Sequence, residues 1–187
     1  RGREPGPRQA VAAMTTKDDS GGGAMLKVRE ETTADHAAIR ALLLAAFPLP
    51  SEAKVVERLR ADRDVVLALV ALEGDEVVGH LMLSPMQAPF PALGLAPLTV
   101  HAARRNTGIG RRLVAEAVAR VGGREWEAMF VVGDPDYYKR FGFEHALAAG
   151  YRCAYSGPYL MAMPLVPGGP SIIFGNIAFA PAFAVFE

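Results

Sequence analysis

The sequence predicts a three-layer mixed α/β domain, one sheet with helices on both faces. Three observations carry that reading. Apolar, β-branched runs of strand length recur along the chain, as in Val65–Leu72 and Trp126–Val132. Between them lie longer stretches with apolar residues at helical spacing. Their order, β-αα-βββ-α-β-α-ββ, is not the strict alternation of a doubly wound parallel fold.

Each element has its own signal. Met25–Glu31 reads as the first strand. Thr33 is the expected N-cap of a helix carrying Ile39, Leu42, Leu43, Ala46 and Phe47 at helical spacing. Pro48 and Pro50 end it, and Ser51 is expected to cap a second helix with Val55, Val56 and Leu59 on one face. Val65–Leu72 is a buried strand, Glu73-Gly74-Asp75 a turn, and Glu76–Ser84 the other arm of a hairpin. Ser84–Pro97, with its prolines, is expected to be a loop feeding a strand at Leu95–His101. Val114, Ala117, Val118 and Val121 stripe the next helix, with Glu116 and Arg120 paired at i,i+4. Trp126–Val132 is a strand, and Asp134 caps a short helix with Pro135 at its first position and Gly142 at its end. Phe143 onward and Tyr159–Leu165 supply the late strands.

Composition excludes several function classes. The 187 residues are 51% hydrophobic and 21% charged, within the range of one globular domain. Twenty basic residues balance twenty acidic ones, which argues against a polybasic nucleic-acid or membrane binder. The single cysteine, Cys153, forms no internal disulfide and no Cys-rich zinc site, and it reads as a small buried residue rather than a nucleophile. No metal is expected. A transmembrane helix needs about 20 consecutive apolar residues, and the longest apolar runs are shorter. Without disulfides or an export signal, the cytoplasm is the expected compartment. Residues 1–24, rich in Gly, Pro, Arg, Asp and Ser, read as a disordered tail, leaving 25–187 as the domain. The chain does not begin with Met, and Met14 and Met25 are both candidate starts.

The chemistry concentrates between a strand and a helix, in Arg105-Asn106-Thr107-Gly108-Ile109-Gly110-Arg111-Arg112. Two glycines let successive backbone N–H groups converge on an anion at a helix N-terminus. Arg104, Arg105, Arg111 and Arg112 surround the turn with no acid among them, and Asn106 tolerates a left-handed conformation. These are parts for a pyrophosphate site. A P-loop would need Gly-Lys-Ser/Thr after the glycines, where Arg111-Arg112 stands, and the dinucleotide fingerprint needs a third glycine, where Leu113 stands.

Leu98-Thr99-Val100-His101 followed by this turn resembles the acetyl-CoA signature of the GNAT N-acetyltransferases. Tyr138-Lys139-Arg140-Phe141-Gly142-Phe143 resembles the second motif of that family, and Gly133-Asp134-Pro135-Asp136-Tyr137-Tyr138 is most similar to its YhbS-like branch. The resemblance implies an acetyl-CoA-dependent N-acetyltransferase in which an amine attacks the thioester directly, with no acyl-enzyme. It implies that the Leu98–Val100 strand splays from Trp126–Val132. Pantetheine would then bond the backbone of Leu98, Thr99 and Val100, and backbone N–H groups from Arg105 to Gly110, with Arg111 beside them, would hold the pyrophosphate. Tyr138 matches the tyrosine that protonates the departing thiolate, while Tyr137, on the Phe141 face, is expected in the core.

Departures from the family pattern are Ala102 where a proline is frequent, Asn106 and Thr107 in the turn, and Asp134 near a frequent asparagine. The amine must lose a proton before attack, and Glu52, His80 and His101 are the candidate bases, with a water chain as the alternative. The acceptor is an unidentified amine. The other functional reading is a non-catalytic acyl-CoA-binding or sensing module. Ile172-Ile173-Phe174 and Ala178–Phe186 point either to a homodimer interface or to completion of the domain's own sheet.

Overall fold

The computed structural model describes residues 25–186. The expected tail, residues 1–24, lies outside the described residues, as does residue 187. In chain order the elements are β1 (Leu26–Glu30), α1 (His36–Ala46), α2 (Ser51–Asp62), β2 (Leu67–Glu73), β3 (Glu76–Met86) and β4 (Ala92–Val100). Then come α3 (Ile109–Val121), β5 (Ala128–Val132), α4 (Pro135–Tyr138), α5 (His145–Ala148), β6 (Tyr151–Arg152), β7 (Leu160–Pro164) and β8 (Gly175–Asn176).

Six strands form a mixed sheet in the order β1-β2-β3-β4-β5-β7, while β6 and β8 pair separately. Within the large sheet the β4–β5 pair is parallel and the other pairs are antiparallel. Side-chain alternation along β2 and β3 sends Leu69, Leu81 and Leu83 toward Leu113 of α3, and Val70 and Met82 toward Ile39, Leu43 and Leu59 of α1 and α2. Both faces of β2 are therefore covered, which is why its sequence is continuously apolar rather than alternating. A third cluster sits under the sheet's far end, where Phe130 meets Tyr151 edge-on at 5.2 Å.

Three local expectations need correction. The cap before α1 is Thr32, not Thr33: its N–H and hydroxyl both donate to the Asp35 carboxylate, at 2.7 and 2.9 Å, and Arg29 clasps the same group. Ser51 is already helical, with Pro50 in the cap position. The expected loop Ser84–Pro97 is mostly strand, since β3 runs to Met86 and β4 begins at Ala92. Pro97 fits inside β4 because Leu81 pairs with Leu98 and Leu83 with Leu95, so Ala96 and Pro97 together oppose Met82 in a β-bulge. A bulge tolerates a residue with no N–H to give the ladder. The Ala96–Pro97 peptide is cis.

The feature that shapes the site is where β4 leaves β5. The two strands pair over Ala92–Gly94 against Ala128–Phe130 and no further. From Leu95 onward β4 stays on β3 while its other edge faces an opening.

Candidate active site

The turn after β4 places its backbone as the glycine spacing predicts. Asn106 and Gly108 both take left-handed φ, at 64° and 89°. Gly108 caps α3, and the first α3 hydrogen bond runs from Arg112 N–H to the Gly108 carbonyl at 2.9 Å. The N–H groups of Ile109, Gly110 and Arg111 precede that bond, so the helix itself cannot satisfy them. They form an anion cradle with the helix dipole behind it. Thr107 braces the turn from behind, its hydroxyl donating to the Arg104 carbonyl at 2.6 Å.

The arginines divide. Arg104 is held by Glu73 at 2.7 Å, so it is not free of acids as the sequence suggested. Arg105, Arg111 and Arg112 have no carboxylate partner among the described residues and stay exposed. Their charge is available to an anion in the cradle.

Two cavities open at the splay. One, about 650 Å³, runs from Leu98, Thr99 and Val100 to the cradle residues Arg105, Asn106 and Gly108, and on over Ile109, Gly110 and Arg111. The other, about 480 Å³, lies toward α1, α2 and the C-terminal segment, with Glu52, Tyr138 and Phe183 on its wall. Leu98 and Phe47 belong to both, so the cavities meet at Leu98, where β4 has parted from β5. Thus every residue expected at the cofactor site except Thr107 lines the larger cavity.

Tyr137 and Tyr138 face different cavities. Asp134 caps α4 as predicted, its carboxylate accepting from the Asp136 N–H at 2.9 Å, and this sets both rings. Tyr138 stacks edge-on to Phe143 at 5.8 Å, and its hydroxyl has no hydrogen-bond partner among the described residues. It opens on the smaller cavity. Burial pushes its phenol well above the ordinary value, so it holds its proton at any working pH. Tyr137 was expected in the core, and its ring does pack on Phe141 at 5.1 Å. Its hydroxyl, however, lies over α3: a Cβ at Gly110 would sit 2.5 Å from it. It lines the larger cavity, with the Arg140 guanidinium 4.9 Å from its ring centroid.

The candidate bases separate. His80 is fully buried and lines neither cavity, with Nε2 2.9 Å from Glu31 Oε2. A carboxylate only accepts, so Nε2 carries the proton. Arg60 clasps Glu31 from the other side with two bonds of 2.8 Å. His80 is structural. His101 accepts from the Ala103 N–H at 3.3 Å and shapes the turn after β4. Glu52 is the candidate that reaches the smaller cavity, and its Oε2 is buried without a hydrogen-bond partner. Cys153 is half-buried beside Ser156, outside both cavities.

Sequence reasoning missed the C-terminal wall. Ala178–Phe186 was expected to extend the sheet or face a partner, but it forms one bridge, Gln87 with Ala178, and then a 3-10 helix, Pro181–Phe186. Phe179 and Phe183 turn inward over the smaller cavity. Glycine and aromatic spacing along one segment carries no signal for a contact made with α2 more than a hundred residues earlier.

Known proteins resemble this chain in sequence and in fold. The family profile for the acetyltransferase (GNAT) family matches residues 36–143. The uncharacterised N-acetyltransferase YhbS of Escherichia coli is 37% identical over 134 residues, spanning 70% of this chain and 80% of YhbS. A second E. coli protein, the uncharacterised N-acetyltransferase YjhQ, is 30% identical over 133 residues, 66% of this chain and 73% of its own. Among solved structures, YhbS from E. coli in complex with CoA superposes with a TM-score of 0.81 at 29% identity, covering 91% of this chain and 98% of that one. A GNAT acetyltransferase from Brucella melitensis in complex with acetyl-CoA superposes with a TM-score of 0.72 at 31% identity, covering 86% and 99%.

Proposed function

Because the chain belongs to the GNAT family of acetyltransferases, we propose that it moves the acetyl group of acetyl-CoA to a primary amine by direct attack, with no acyl-enzyme. The observation that carries this reading is the junction at Leu98 of an anion-cradle cavity with a second cavity, at the point where β4 leaves β5. The residues present suit the cosubstrate. The cradle at Ile109, Gly110 and Arg111 suits a pyrophosphate, and the absence of a Cβ at Gly110 leaves room for the Tyr137 hydroxyl beside it. The free edge of β4 at Leu98, Thr99 and Val100 offers alternate N–H and C=O groups to the amides of a pantetheine arm. Acetyl-CoA supplies an activated acetyl group as a thioester.

In this reading a backbone N–H near Leu98 polarises the thioester carbonyl. The acceptor nitrogen, held in the smaller cavity, forms the C–N bond as the C–S bond breaks. Tyr138 gives its hydroxyl proton to the leaving sulfur, and the proton shed by the nitrogen returns through water to the phenolate. No side chain needs to become acylated, which is consistent with Cys153 lying outside both cavities.

The test is Tyr138→Phe with a turned-over amine. General acid catalysis is worth about 10²–10⁴-fold, and a thiolate is a tolerable leaving group, so kcat should fall about 100-fold, about 2.7 kcal/mol. The thermal shift given by acetyl-CoA should persist. Full kcat in this variant removes Tyr138 from the mechanism. A wild-type protein that binds acetyl-CoA but releases no CoA across an amine panel would instead be an acyl-CoA-sensing module.

A further inference from the structure

The smaller cavity has a composition that narrows the acceptor. Tyr155, Phe179, Phe183 and Phe186 form a continuous aromatic series along its outer wall, with successive ring centroids 5.6, 5.4 and 6.4 Å apart. Phe47 closes the inner side. Tyr155 is fixed in that wall, its hydroxyl donating to the Phe183 carbonyl at 2.9 Å. Within this apolar lining Glu52 is the one charged side chain among the described residues, and its Oε2 is buried with nothing bonded to it. A buried carboxylate oxygen without a partner is costly, and a donor is expected to meet it. The aromatic rings that line the same cavity favour a cation as that donor, because ring quadrupoles attract positive charge.

We propose that this cavity binds a small monoamine carried on an aromatic or bulky apolar group, with its ammonium on the Glu52 carboxylate until it gives one proton to water, and with that group against Phe179 and Phe183. This deepens the acetyltransfer reading and rests on it for the cavity's role as the acceptor site. The volume of about 480 Å³ fits one small ligand. A single anion against an apolar wall disfavours polyamines and aminoglycoside-like cations, whose remaining charges would be desolvated without partners. A long acyl chain on the donor would fill the apolar space but would leave Glu52 unpartnered.

The experiment is calorimetry on the full chain, with and without CoA, using 2-phenylethylamine, its neutral counterpart 2-phenylethanol, and spermidine. The aromatic amine should bind at least tenfold more tightly than either of the others. In Glu52→Gln the advantage of the amine over the alcohol should disappear while the alcohol binds as before. With acetyl-CoA present, 2-phenylethylamine should be acetylated with a lower KM than spermidine or a lysine peptide. The proposal is overturned if amine and alcohol bind the wild type alike, if spermidine or the peptide is preferred, or if octanoyl-CoA displaces the amine and outpaces acetyl-CoA. The wild-type comparison of amine with alcohol requires no variant to fold. Aromatic-amine binding that depends on Glu52 but leads to no acetyl transfer would keep this site and overturn the acetyltransfer reading, whereas transfer to spermidine alone would do the reverse.

Discussion

Tyr137 and Tyr138 are neighbours in sequence and face different cavities. Tyr138 presents an unbonded hydroxyl to the smaller one, and Tyr137 lays its hydroxyl over Gly110. Their substitutions should therefore separate kinetically. Tyr138→Phe acts on kcat, as argued above. Tyr137→Phe should leave kcat within about twofold and weaken acetyl-CoA about fivefold, the loss of roughly one hydrogen bond at the cradle, about 1 kcal/mol. Titration calorimetry with acetyl-CoA and steady-state kinetics on both variants will check this. The residue pattern Tyr137-Tyr138-x-x-Phe141 marked an aromatic helix face, but it does not say which hydroxyl points where. A four-residue helix turns little more than once, so small rotations exchange the two roles.

Among the elements, α3 and its N-terminal turn were the most legible from sequence. Positive φ at Asn106 and Gly108, the cap at Gly108 and the apolar stripe all follow from local residue chemistry. The Glu116–Arg120 pair forms as spaced, at 2.8 Å. The turn also makes a sharp prediction. Gly110→Val should abolish the acetyl-CoA thermal shift, because the side chain displaces the Tyr137 hydroxyl and adds bulk to the wall of the larger cavity. The fold should survive, since the atom displaced is the far end of a movable side chain. A preserved shift in folded Gly110→Val protein would remove the cradle from the cosubstrate site. Less legible were the elements whose limits are set at a distance. β4 starts at Ala92, not near Leu95, because pairing with both β3 and β5 overrides the local signal of the surrounding prolines. The C-terminal 3-10 helix, Pro181–Phe186, owes its place to packing on α2 and had no periodic pattern to announce it.

At the scale of the molecule, the buried Glu31–His80–Arg60 group ties β1, α2 and β3 together and makes stability depend on acid. Burial alone would raise the Glu31 carboxyl, but the His80 and Arg60 hydrogen bonds outweigh it and hold it at about 2, below its ordinary 4.5. Burial lowers His80 despite the opposing pull of Glu31. Both folded-state values lie below their unfolded ones, so their stabilisation is complete above about pH 6.5 and is withdrawn as pH falls. His80 begins the loss below about 6.5, and Glu31 adds to it from 4.5 down to about 2. Glu31→Gln should cost about 3 kcal/mol at pH 7, and the gap to wild type should close toward pH 2 in urea unfolding series. Elsewhere on the surface Ile173 and Phe174 remain 71% and 69% exposed, while Phe183, of the same apolar C-terminal stretch, is turned inward. Of the two readings of these apolar segments, the homodimer is the one open to a direct test: it should form through Ile173 and Phe174, and changing both to Ser should yield a monomer by light scattering. A monomeric wild type at high concentration rules it out. The parting of β4 from β5 also has a reporter of its own. A sheet with a seam through its middle exposes interior amides to solvent, so the strand edge at Leu98–Val100 should trade its hydrogens for deuterium far faster than Leu93 or Met129, which lie in the paired stretch. A bound pantetheine arm would act as the missing strand and close that seam, and the slowing of exchange at these few amides would time its arrival without any need for turnover.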